Sequence, residues 1–224
     1  MRQEGSSGQL SWAGEAYHAL TIDVTDGMMP NVASPFGGVL RLNVSGDCYV
    51  DGGGADYSCF EGFDCVLITG EGSLRFENTA GLECGGGMLP VPAVVVDGDV
   101  DVCCENFLAQ PNEGCGLTVA VLNGTLRTDL LRWRNGDMLI AGGVMTVRSI
   151  STFNPITVTC RDGVLLPDWP SDYEMTFVLS GGEAYLAGPL NEGTVVEAGA
   201  GILAAQDVSA AEIHGDGASV LGGE

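Results

Sequence analysis

A chain of 224 residues with 45% hydrophobic and 17% charged residues has the balance of a folded protein rather than a disordered one. Its formal charge is −22, from 30 acids and 8 bases that are all arginine, so its surface repels phosphate. That excludes nonspecific nucleic-acid binding and disfavours an anionic membrane, while 35 glycines without a three-residue period exclude collagen.

Residues 1–20 (MRQEGSSGQLSWAGEAYHAL) lack the ~7–15-residue apolar stretch of a secretory signal. No run approaches the ~18 apolar residues of a membrane span. The longest apolar patch, Val91–Val96, is interrupted by Pro92. The chain is therefore expected to be made in the cytoplasm and left there unless a partner or lysis carries it out. Residues 1–20 are expected to form an N-terminal arm or cap, a short helix or an extended arm, with Trp12, Tyr17 and Leu20. One β domain is expected over 21–224.

From residue 21 onward, short alternating apolar runs end in glycine, the pattern of strands closed by tight turns. TIDVTDG ends at Gly27 and LNVSG at Gly46. The clearest repeat aligns VLITGEGSLRFEN (66–78) with VVVDGDVDVCCEN (94–106), an offset of 28 residues without gaps. Val66 matches Val94, Ile68 matches Val96, Gly70 matches Gly98, and Leu74 matches Val102. Glu77-Asn78 matches Glu105-Asn106. Weaker copies end at Gly124, Gly142, Gly163, Gly181, Gly199 and Gly215, giving steps of 16–28 residues. Longer insertions fall at 52–64, 79–92, 106–116 and 165–173, the last with Pro167, Trp169 and Pro170. Residues 203–224 are small and polar, as tapering final coils would be.

These repeats predict an all-β chain forming a single parallel β-solenoid of about ten short coils, with an antiparallel β-sandwich or jelly roll as the alternative. The pattern over about residues 20–220 resembles right-handed parallel β-helices. That class includes polysaccharide lyases, glycoside hydrolases, bacterial adhesins, and bacteriophage tailspikes and fibres. The resemblance is one of architecture and carries no functional residue across.

Catalytic patterns are weak. His18 and His214 lie near opposite ends and no GxSxG occurs, which argues against a Ser/His/Asp triad. Asp97, Asp99 and Asp101 alternate, so on a strand they would share one face. A calcium loop would need Gly and Glu where Val102 and Leu108 stand, so a solvated acidic face is the simpler expectation. The eight cysteines include no CxxC pair and are expected to be reduced, several of them stacked in the core. Cys103 and Cys104 should point to opposite sides of a strand. Arg75, Arg127 and Arg148 read as strand arginines. GGG at 52–54 and 85–87 lacks the rest of a phosphate loop.

Arg132-Trp133-Arg134 is the one dense cluster of aromatic and cationic residues, and with Trp169 it is the candidate contact for a partner or glycan. No catalytic residue, metal or cofactor is expected. The resemblance implies a non-enzymatic structural or attachment component of a virus particle, such as a bacteriophage capsid decoration, fibre or spike protein. It would be a homo-oligomer, a trimer by preference, touching other virion proteins and a surface glycan, but neither nucleic acid nor membrane. A carbohydrate-active enzyme and a bacterial adhesin are the alternatives.

Overall fold

The computed structural model describes residues 4–12, 15–34, 36–133, 136–152, 154–167 and 174–223. Among these residues all regular structure is β. In chain order the strands are β1 (Glu4–Trp12), β2 (Glu15–Pro30), β3 (Val39–Cys59), β4 (Cys65–Gly85), β5 (Val94–Val96) and β6 (Asp99–Gln110). Then come β7 (Leu117–Val121), β8 (Thr125–Trp133), β9 (Asp137–Ile140), β10 (Val144–Thr152) and β11 (Ile156–Cys160). The last are β12 (Val164–Pro167), β13 (Met175–Tyr185), β14 (Val195–Ala205), β15 (Glu212–His214) and β16 (Ala218–Gly222).

The N-terminal segment is an antiparallel hairpin, β1 against β2, and every other pairing is parallel. The sandwich alternative is thereby overturned. The open solenoid needs correction too. Hydrogen bonding runs β4-β5-β7-β9-β11-β13-β12-β10-β8-β6 and returns from β6 to β4, a closed barrel of ten parallel strands. β1 to β3 are added at β4, and β14 to β16 at β13.

The physical cause of closure lies in two long strands. β4 pairs with β5 through Val66–Ile68 and with β6 from Glu71 onward. β13 pairs with β11 through Met175–Leu179 and with β12 through Glu183 and Ala184. Both pass through a glycine corner without losing their hydrogen bonds. β2, β3 and β14, outside the ring, also run through it unbroken, whereas between β4 and β13 the corner breaks each turn of chain into two strands, which fall on opposite arms of the ring.

Alternation fills the interior. On one arm Leu40, Val66, Val94, Val119, Met138, Val158, Phe177 and Val196 follow one another in register. On the other arm the sequence is Cys48, Leu74, Val102, Leu126, Met145, Leu165, Ala184 and Leu203. All of these side chains are buried. Removing one large apolar side chain from water stabilises by about 1.5–3 kcal/mol, so these rows supply much of the driving force. Phe60 and Phe76 meet edge to face, with centroids 5.5 Å apart.

All eight cysteines are free. Cys48, Cys59, Cys65, Cys84, Cys104 and Cys160 are buried, while Cys103 is exposed beside the inward Cys104, as strand alternation requires. Burial pushes the thiols of Cys65, Cys104 and Cys160 up to about 12 and raises that of Cys84. In a native thiol titration Cys103 should react first and half-buried Cys115 slowly. The six buried thiols should react only after denaturation. Rapid reaction of more than two thiols in the native protein would contradict this packing.

Three of the insertions stack on one another. Asn112 is 3% exposed and spends its whole amide on them. Its Nδ2 donates to the carbonyls of Asp64 (2.6 Å) and Val91 (2.8 Å), and its Oδ1 accepts from the Gly87 amide (2.8 Å). The buried Asp64 carboxylate accepts from the Gly38 amide, which ties in the loop before β3. The insertions are therefore parts of the packed body.

Candidate functional site

The most informative surface is the outer side of β4, β6, β8 and β10. Four of the eight arginines, Arg75, Arg127, Arg132 and Arg148, lie on these strands. Parallel register places Tyr49, Arg75, Cys103, Arg127, Thr146 and Leu166 in one outward row. Tyr185, Ala204 and Leu221 follow one another in register on the last strands of the same arm. Leu166, Tyr185 and Leu221 are 36%, 39% and 54% exposed.

Most arginines here have acidic partners. Arg75 Nη2 lies 3.3 Å from Asp47, Arg127 Nε 3.3 Å from Asp101, and Arg148 Nη2 3.2 Å from Asp129. All three pairs are about half exposed, so solvent screens them and each adds little to stability. The Asp101 Oδ1 makes no hydrogen bond despite the nearby guanidinium, so that attraction is Coulombic and poorly aligned. The Ser73 hydroxyl and then Arg75 hold the Asp47 carboxyl below the usual range. A cleft of about 320 Å³ opens among these groups, lined by Cys103, Glu105, Arg127, Asp129, Thr146 and Arg148.

A second hollow of about 390 Å³ lies farther along the same strands, with Arg132 on its wall. Of the four residues singled out in the sequence, Arg132 is exposed on β8, in register with Leu108 of β6. Trp133 ends β8 opposite Ala109. Arg134 and Trp169 lie outside the described residues. The sequence did not point to Ser58, Glu83 or Asn106, which share the hollow with Arg132.

The three aspartates do not share one face. β5 stops at Val96 and β6 starts at Asp99, so the corner separates Asp97 from the other two. Asp97 accepts a hydrogen bond from Asn123 Nδ2 at 2.8 Å. Among the described residues no three His, Cys, Asp or Glu side chains converge to hold a metal ion. Nor, among the described residues, is any helix long and apolar enough to cross a membrane.

His214, on β15, stands between two carboxylates. Its Nδ1 lies 3.1 Å from Glu197 of β14 and its Nε2 lies 2.9 Å from Glu212 of its own strand. Hydrogen bonds to Glu212 and Glu197 raise its pKa. The doubly protonated ring serves both carboxylates, whereas the neutral ring has one N–H. This clamp is complete below the unfolded value of about 6.5 and is lost as pH rises through the higher folded value. Amide exchange at 212–214 should speed up across that window beyond the intrinsic pH effect, and His214→Gln should abolish the extra step. An unchanged step in the variant would contradict the clamp.

No family model, curated protein or solved structure matches the chain.

Proposed function

We propose that the chain is a non-enzymatic structural or attachment component of a virus particle, of the bacteriophage decoration, fibre or spike type. It works as a homo-oligomer, with a trimer favoured. The observation that carries this reading is the outward row of Tyr49, Arg75, Arg127, Leu166, Tyr185 and Leu221 along one arm of the barrel. Tyrosine and arginine are groups that interface cores favour, and the exposed leucines add apolar area for a partner to cover. Charge supports the same reading. A chain of −22 that gathers half its arginines on one face offers that face to acidic surface, including that of another copy.

Native mass by light scattering, at two protein concentrations and two salt levels, tests the proposal. The reading expects an oligomer that survives dilution, responds to salt, and falls to monomer in the Arg75→Glu/Arg127→Glu double variant. A monomer under all four conditions contradicts it. One observation favours the carbohydrate-enzyme alternative: Glu105 and Asp129 line the same cleft. That alternative requires polysaccharide turnover that Glu105→Gln or Asp129→Asn abolishes without lowering Tm.

A further inference from the structure

The hollow beside Arg132 is made by irregular pairing. β3 shifts register twice between Asp51 and Ser58, and β4 shifts between Arg75 and Leu82. The extra residues leave a depression bordered by Ala55, Ala80 and Gly81, where longer side chains would fill the space. A Cβ on Gly81 would come within 2.4 Å of the Asn106 carbonyl oxygen. The volume of about 390 Å³ falls in the range of small-ligand sites, roughly 300–1,000 Å³.

The lining is ordered by register. Glu83 of β4, Leu108 of β6 and Arg132 of β8 form one row across three adjacent strands. Glu83 and Arg132 thus stand two strand spacings apart, roughly 10 Å, with the half-buried Leu108 between them. They make no ion pair with each other. Asn106 is two residues from Leu108 and so on the same side of β6. Ser58 closes the end nearest β3. Among the described residues the side chains of Ser58, Glu83, Asn106 and Arg132 have no hydrogen-bonding or ionic partner. Four polar side chains, offering donors and acceptors in turn, therefore converge on an apolar strip.

We infer that this hollow binds a neutral saccharide unit of a surface glycan. A sugar hydroxyl both donates and accepts, and Asn, Glu and Arg side chains complement adjacent hydroxyls with two atoms each. The C–H face of the ring would lie on Leu108 and the alanines. A neutral sugar fits better than an acidic one, because Glu83 faces the site and the chain carries −22.

The inference deepens the attachment reading and rests on it, yet the two fail separately. An oligomer that binds no sugar removes the hollow and leaves assembly standing, and a sugar-binding monomer does the reverse. The test is saturation-transfer NMR and calorimetry on the full chain with maltohexaose, cellohexaose and mannohexaose, against oligogalacturonate. At least one neutral oligosaccharide should bind. Arg132→Ala and Asn106→Ala should each weaken it about tenfold, the loss expected for a hydrogen bond to a charged or amide group. Ala80→Leu, which fills the hollow and removes no polar group, should weaken it as well, with Tm of all three variants near that of the parent. Binding of none of the neutral probes, binding of oligogalacturonate alone, or binding unaffected by the three variants would overturn the inference.

Discussion

Asn112→Ala is expected to cost about 3–5 kcal/mol of stability, because it orphans buried backbone groups that cost about 1–3 kcal/mol each. The amide of Gly87 and the carbonyls of Asp64 and Val91 would all lose their shared partner. Asn112→Leu restores the volume and none of the bonds, so it should be nearly as damaging. Asn123→Ala is the comparison. Asn123 is exposed and bonds one exposed carboxylate, so its loss should cost less than about 1 kcal/mol. Urea unfolding of the three variants measures this. Equal costs for Asn112→Ala and Asn123→Ala would mean that the insertions are not pinned together as described.

Gly70→Ala should be as severe, for a different reason. Gly70 sits where β4 turns the corner, with φ of 104°. A Cβ there would lie 2.0 Å from the Val44 carbonyl oxygen of the neighbouring strand. Neither partner is a movable side chain, so β3 and β4 must separate locally. The expected cost is about 3 kcal/mol or more. Gly53 provides the control: its φ is 80°, but no atom lies within 4 Å of the place a methyl group would take. Gly53→Ala should then show only the conformational cost, about 1 kcal/mol. Similar losses at both positions would show that the close approach at the corner is absent.

Much of the strand register was legible before the structure. The matches of Val66 with Val94, Ile68 with Val96 and Leu74 with Val102 are register partners in the sheet. Burial demands apolar residues at fixed spacing from the glycine corner, so that spacing repeats. The match of Asn78 with Asn106 is not a pairing, because β4 carries extra residues between Arg75 and Leu82. An ungapped alignment passes over such a shift, and the shift is what creates the hollow beside Arg132.

Ring closure was not legible for a related reason. Glycine at Gly70 or Gly181 marks a turn whether or not the strand keeps its hydrogen bonds through it. Only the backbone path shows that β4 and β13 join both arms of the ring while the ring strands between them break at the corner. Asn112 was hidden as well. Its partner carbonyl at Asp64 lies 48 residues away, and no local periodicity reports a buried polar contact at that distance.

The central claim is that β4 pairs in parallel on both sides of its corner and so closes the ring. The most direct measurement is the pattern of interstrand NOEs from β4 in isotope-labelled protein. The structure predicts parallel-type Hα–HN contacts from Val66–Ile68 to Val94–Val96, and from Glu71–Arg75 to Asp99–Cys103, in the same molecule. Strong Hα–Hα contacts of the antiparallel kind, or loss of either set while the other persists, would contradict it.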